Sequence, residues 1–326
     1  MIRRIVFAIL LSLAAAVPAR AQGAPPQDHG DFGAFVAGLR QDALGQGISA
    51  ATLDRAFAGI SYIPHVIELD RRQPESTLAF EDYISRVVSP GRLDGGREKL
   101  AENRELLEQI GQRYGVEPRF IVALWGIETD YGRITGSFSE IGALATLAYD
   151  GRRSTFFRKE LMNALVIVDR EHVDPRQMTG SWAGAMGQSQ FMPSSYLAYA
   201  VSWSGDGPPD IWNNRADILA SIANYLAKVG WHAGAGWGVA ATAPPDIDPA
   251  LVSIKEKRPL AEWAALGVVP ENPGAAADGS RTASLIEPGG AQGPALLVFD
   301  NFRVILRWNN SSYFATAVGY LADGFN

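Results

Sequence analysis

A single carboxylate closes a long apolar run in this chain. Residues 120–127 read FIVALWGI, Glu128 follows, and Thr129, Asp130, Tyr131 and Gly132 come directly after it. Apolar surroundings disfavour the ionised form of a carboxyl, so its pKa rises. A carboxyl that keeps its proton near neutral pH can deliver it to a leaving-group oxygen. Trp125, three residues back on the same helical face, is placed to supply an apolar wall. Asp130 is a poor second carboxylate, because two residues along a helix turn about 200°. The same residue types also suit a buried structural glutamate bonded to backbone. Both readings stand at this level.

A second stretch, GSWAGAMGQSQFMPSSY, runs from Gly180 to Tyr196. Its glycines and alanines keep side chains out of the way, so backbone can approach a ligand or a neighbouring helix closely. Ser181 and Gln190 bracket the glycines with hydrogen-bonding groups, which suits a ligand-lined cleft. A tight helix–helix contact is the competing reading. It is not a nucleophile elbow: Gly187-Gln188-Ser189-Gln190-Phe191 lacks the second glycine. The third candidate, Ser202 to Asn213, resembles a calcium loop with Asp206 before a turn glycine. Ser202 stands at the first position and Asn213 at the twelfth, where a bidentate glutamate belongs. A loop turned by Gly and Pro is the better reading, and no metal is expected. His29, His65, His172 and His232 show no metal-ligand spacing. No phosphate loop or dinucleotide fingerprint appears, and no cofactor is expected.

Mostly helices must position these residues. Apolar spacing predicts helices over 31–44, 49–56, 77–88 and 97–114, with Pro90 and Gly91 as an interruption and Gly115 as a stop. Pro118 suits the first turn of a helix reaching Glu128, apolar on all sides and so buried. Further helices are expected over 140–149, 154–171, 191–200, 214–229 and 311–322. Residues 235–300 are rich in Gly, Pro and Ala and read as a less regular section with short apolar pieces such as Ala295 to Phe299. No repeat of fixed period is present.

Composition bounds the function. The 326 residues are 47% hydrophobic and 20% charged, ordinary material for a packed core. Arg3 and Arg4 precede an apolar stretch from Ile5 to Val17, and Ala19-Arg20-Ala21 offers a small-x-small cleavage site. Residues 1–21 therefore read as a secretory signal peptide, too short for a comfortable membrane span, and 22–30 as a flexible start to the mature chain. Losing Arg3, Arg4 and Arg20 takes the net charge from −6 to −9. So acidic a chain is a poor partner for nucleic acid. Without cysteine there is neither a disulfide nor a lipid-anchoring N-terminal thiol. An exported protein of the bacterial periplasm with no membrane anchor is expected.

Four motifs stand in order: GIETDYG around Glu128, the Gly180–Tyr196 stretch, ANYLAKVGW from Ala223 to Trp231, and RWNNSSYFATAVGYLA near the end. Together they resemble murein transglycosylases of the membrane-bound lytic transglycosylase B type, over about residues 30–323. The resemblance implies a mainly α fold. Its lysozyme-like (goose-type-lysozyme-like) catalytic core would span about 97–232 plus a C-terminal helix at about 302–323, with an additional helical subdomain and a small mixed α/β insertion. It implies peptidoglycan glycan strands as partner, leaves cell-wall synthesis proteins as candidate partners, and implies cleavage of the β-1,4 bond between N-acetylmuramic acid and N-acetylglucosamine. The product would be a 1,6-anhydromuramoyl end, formed without water. Glu128 would serve as sole acid and base, with the substrate's acetamido group stabilising the intermediate. Ser181, Gln190, Tyr225 and Asn309 would contact sugar, and so would Tyr83, from a less specific segment. Trp308 stands where a tyrosine is common. A hydrolytic muramidase and a non-catalytic peptidoglycan-binding protein are the competing readings. If the leader is cut as expected, N-terminal sequencing of the exported protein begins at Gln22.

Overall fold

The computed structural model describes residues 32–325, apart from 73–77, 172, 273, 275–277, 291 and 292. The expected signal peptide, the 22–30 segment with His29, Asp31, Thr77 and His172 lie outside the described residues. The chain opens with α1 (Phe32–Gly45), α2 (Ala50–Ala56) and α3 (Pro64–Arg71), followed by α4 (Phe80–Val87). Ser49 caps α2: its hydroxyl accepts from the Thr52 amide and donates to Asp169.

The single helix expected over 97–114 is two. Helix α5 (Pro90–Glu102) begins earlier, because Pro90 sits in the first turn, where its missing N–H costs nothing, and the Ser89 side chain caps the end. Asn103 leaves helical geometry. Its side-chain amide donates to the Lys99 carbonyl at 2.8 Å, a bond that competes with the helix ladder. Helix α6 (Arg104–Tyr114) follows and stops at Gly115 (φ 66°), as expected.

Helix α7 (Pro118–Thr129) is buried without interruption from Phe120 to Gly126. Beyond it come β1 (Phe138–Ser139), α8 (Glu140–Tyr149), α9 (Ser154–Arg170), β2 (Thr179–Gly180), α10 (Pro193–Tyr199) and α11 (Arg215–Lys228). The two short strands pair antiparallel, with Phe138 opposite Gly180. The 235–300 section is more regular than its composition suggests. It holds β3 (Gly238–Thr242), β4 (Arg258–Pro259), α12 (Leu260–Ala265), β5 (Val269–Pro270), β6 (Thr282–Ile286) and β7 (Leu296–Val298). These strands form one antiparallel sheet in the order β4-β6-β7-β3-β5. Trp263, Leu260, Leu285 and Leu297 give this sheet a core of its own. The expected C-terminal helix is likewise two, α13 (Asp300–Trp308) and α14 (Ser312–Asp323), separated where Asn309 becomes extended.

Helix α7 is the axis of the main core, with α5, α6, α11 and α14 packed around it. Each large apolar side chain it buries contributes on the order of 1.5–3 kcal/mol. An axis enclosed this way fixes whatever stands at its end. That end is sharp: Asp130 (φ 52°), Tyr131 (φ 61°) and Gly132 (φ 84°) are all left-handed. Tyr131 holds this costly geometry because its ring is seated against Trp125, Gly96 and Gly126, and its hydroxyl donates to the Arg92 carbonyl at 2.6 Å. Gly136 (φ 84°) is equally constrained, since an added Cβ would meet the Gly180 carbonyl oxygen at 2.1 Å. Gly136→Ala is therefore expected to destabilise the fold by about 2 kcal/mol or more, read as a lowered midpoint in thermal unfolding.

Candidate active site

Glu128 lies in the last turn of α7, where the helix meets a cleft. The cleft is walled by Phe156 and Phe157 of α9, Ala183, Gln190, Phe191 and Met192 of the glycine-rich segment, Ser195 of α10, Tyr225 of α11, and Arg307, Trp308 and Asn309 at the end of α13. Among the described residues, no second carboxylate lines it. Burial raises the Glu128 carboxyl to about 7, against the opposing effect of a hydrogen bond from Trp308. That bond is direct: the indole Nε1 donates to Glu128 Oε1 at 2.7 Å, across 180 residues of chain. At neutral pH the carboxyl is thus divided between its acid and its carboxylate.

Trp308 is the residue that the sequence reading undervalued, as a variant sugar platform. Its ring is fixed by Phe191 at 5.3 Å and Tyr225 at 4.7 Å between centroids. Trp125, expected to wall Glu128, is instead fully buried and donates from its indole to Gln188 Oε1 at 3.0 Å. It faces inward because the α7 axis is enclosed on all sides. Nothing in the local sequence distinguishes the two indoles, since Trp308 reaches Glu128 only through the tertiary fold.

Gln188 ties the acid's helix to the cleft wall. Besides holding Trp125, its amide nitrogen donates to the Trp212 carbonyl at 2.8 Å, and its own carbonyl accepts from the Thr129 hydroxyl at 2.9 Å. Gly132 leaves the room this requires, since a Cβ there would lie 2.1 Å from Gln188 Oε1. Asp130 is turned away from the cleft and pairs with Arg92 at 3.7 Å and with Arg133.

The expected sugar-contacting residues divide into two groups. Gln190, Tyr225 and Asn309 all line the cleft. Gln190 is left-handed (φ 50°) and donates to the Thr135 and Gly187 carbonyls, while its Oε1 has no partner among the described residues. Asn309 Oδ1 is likewise buried and unpartnered. Two bare acceptors in one cleft are suited to donors on a ligand. Tyr225 donates its hydroxyl to the Arg307 carbonyl at 2.7 Å, which holds α13 against α11.

Ser181 and Tyr83 lie behind this lining. The Ser181 hydroxyl accepts from the Ala183 and Ala185 amides at 3.3 and 3.1 Å and shapes the turn that presents Ala183. Tyr83 is near enough that the Glu128 charge, after burial, raises its phenol. Phe156, Phe157, Met192 and Ser195 join the cleft without having been singled out in sequence. The 202–213 loop is pinned by protein groups: Asp217 accepts from the Trp203 and Asp210 amides at 2.8 and 2.9 Å, and Asp210 from the Trp212 and Asn213 amides, each at 2.9 Å. Those carboxylates are turned to backbone amides, with Ser202 and Asn213 at the end positions of the loop.

The model of the transglycosylase SLT domain family matches residues 31–323. The chain belongs to that family. It is 36% identical over 244 residues to the membrane-bound lytic murein transglycosylase B of Escherichia coli K12, a match spanning 74% of this chain and 66% of that protein, just under two thirds of its length. The crystal structure of SltB3 from Pseudomonas aeruginosa in complex with NAG-anhNAM-pentapeptide is 44% identical, with a TM-score of 0.86 over 90% of this chain and 79% of the other. The Escherichia coli lytic transglycosylase Slt35 in complex with bulgecin A is 31% identical, with a TM-score of 0.78 over 91% and 94%. These likenesses give the chain the lysozyme-like fold of lytic transglycosylases. The Trp308 bond favours ionised Glu128, so Trp308→Phe is expected to move the Glu128 titration above the parent's value of about 7. Carboxyl ¹³C NMR against pH measures this, and an unmoved or lowered titration contradicts it.

Proposed function

We propose that this protein is a lytic murein transglycosylase acting on peptidoglycan glycan strands. The observation that carries the reading is a cleft carboxyl titrating near 7, with no partner carboxylate along the walls among the described residues. Hydrolysis of a glycoside ordinarily needs two carboxyls, one as acid and one as nucleophile or base. A single carboxyl suffices if the substrate supplies its own nucleophile. Glu128 gives its proton to the glycosidic oxygen as the C1–O bond of N-acetylmuramic acid breaks. The carboxylate then takes the proton from the C6 hydroxyl as O6 closes on C1. Atoms and protons balance, no water is consumed, and Glu128 is returned as the acid.

The cleft suits a glycan. Phe156, Phe191 and Trp308 offer apolar faces, while Gln190 Oε1 and Asn309 Oδ1 offer acceptors for sugar hydroxyl and acetamido N–H groups. Tyr225 and Tyr83 support the cleft around the acid, and Ser181 shapes its turn. Peptidoglycan lies outside the cytoplasmic membrane, in keeping with the N-terminal leader and a periplasmic location. Among the described residues, no helix is long and apolar enough to cross a membrane.

Digestion of purified peptidoglycan is expected to yield muropeptides with anhydro ends. Ends heavier by one water would identify a muramidase instead. Glu128→Gln should slow release by about 10²-fold or more, the loss that removal of a general acid predicts. Undiminished clearance by that variant would leave the protein as a binder whose acid lies elsewhere.

A further inference from the structure

Among the described residues, two buried glutamates take no part in the reaction above. Glu140 starts α8 and is 0% exposed; Glu160 lies on α9 and is 3% exposed. Glu160 has a donor: its Oε2 accepts the Ser194 amide, in the first turn of α10, at 2.8 Å. Neither oxygen of Glu140 has a hydrogen-bond partner among the described residues. A Cβ built on Gly184 would lie 3.2 Å from Glu140 Oε1, so this acid sits directly beneath the glycine turn. The two carboxyls therefore back two segments of cleft wall, the turn that presents Ala183 and the helix that presents Ser195.

A fully buried carboxylate with no donor is a state that proteins avoid by neutralising the group. The helices that carry the two carboxyls, α8 and α9, are packed on each other, and neighbouring like charges disfavour ionising both. Of the two, Glu160 is the one with a hydrogen-bond donor, the Ser194 amide. Lys159, next to Glu160 on α9, is exposed. Helix α3 is packed on α8, but its His65 pairs with Glu68, Asp70 with Arg152 and Arg153, and Arg71 with Asp150. Helix α1 also touches α8, and its Arg40 and Asp42 pair with Asp54 and Arg158. The glycine turn, residues 179–187, carries no charged side chain. Burial, then the charge of Glu160, pushes the Glu140 carboxyl well above its ordinary range.

We propose that Glu140 and Glu160 carry one negative charge between them, with Glu140 as the neutral acid, and that this pair positions the glycine turn and α10 as the cleft wall. Both are positioning residues that act through the backbone they support. The claim about the wall rests on the function proposed above, whereas the claim about the proton does not. The pair also makes the wall pH-sensitive. An acid whose folded-state pKa is raised stabilises most below its unfolded value and loses that contribution as pH rises. The wall is therefore expected to loosen in alkali, independently of Glu128.

The first test needs no change at either residue. In the Glu128→Gln protein labelled with ¹³C-glutamate, which lacks the other raised glutamate, one side-chain carboxyl carbon should remain in the protonated range at pH 7. If every glutamate there is ionised, the proposal fails. Glu140→Gln, which mimics the neutral acid, should abolish that signal. Its Tm should exceed the parent's by about 2 °C or more at pH 8 and converge with it in acid. A Tm below the parent's at pH 8 overturns the assignment of the proton to Glu140. Glu140→Ala should raise KM for glycan several-fold with a smaller change in kcat. A fall in kcat at unchanged KM would refute the link to the wall. If the parent itself releases no muropeptides, the functional reading fails, while the NMR and Tm results still judge the proton.

Discussion

One hydrogen bond, from the Trp308 indole to Glu128, defines the geometry of the cleft. It joins the end of α7 to the end of α13 and fixes where the carboxyl points. Desolvation favours the protonated carboxyl. The indole offsets part of that effect and leaves the group near 7, where both forms are accessible. Phe191 and Tyr225 hold the indole in place, so the aromatic cluster around Trp308 bears on acidity as well as lining the cleft. There is a stability cost with a definite sign. Burying Glu128 is least costly below its ordinary value of 4.5, and the fold loses that advantage as pH rises through about 7.

Around that bond, strain and support are arranged together. Three consecutive left-handed residues end α7 one residue beyond Thr129, so the acid stands in the final turn. The cost is met by Tyr131, locked between glycines, and by the Gln188 strut, which bonds to Trp125, Trp212 and Thr129. The glycines at 132, 136, 180 and 184 are each sites where a methyl group would strike a neighbour that shapes the cleft. A rigid acid behind a rigid wall pre-pays the cost of orienting a substrate.

Much of this was legible in sequence where the signal was local. The apolar run predicted the buried axis, Gly115 predicted the end of α6, and the isolated charge of Glu128 marked the carboxyl that opens on the cleft. Gln190, Tyr225 and Asn309 were found through motif resemblance, and all three line the cleft. What escaped was nonlocal or depended on single side chains. Asn103 breaks a helix by bonding to Lys99, and Asn309 ends another, yet neither has a pattern stronger than the helical periodicity around it. Pro90 read as an interruption because proline stops helices and starts them with equal force. The small sheet was hidden by strands of two to five residues in a Gly- and Pro-rich section. Trp125 and Trp308 could not be told apart, since only the folded chain decides which indole meets the acid.

The distance along the chain between Glu128 and Trp308 bears on when the site comes into being. A ribosome, or a translocation channel, delivers the acid long before it delivers the indole. Until α13 has docked on α11, Glu128 has neither its hydrogen-bond donor nor the wall that Trp308 and Asn309 provide. A chain cut anywhere between α11 and α13 is in the same condition, even with every residue of α7 intact. A site that draws on residues so far apart in the chain is complete only once α13 has been made and has folded back onto α11.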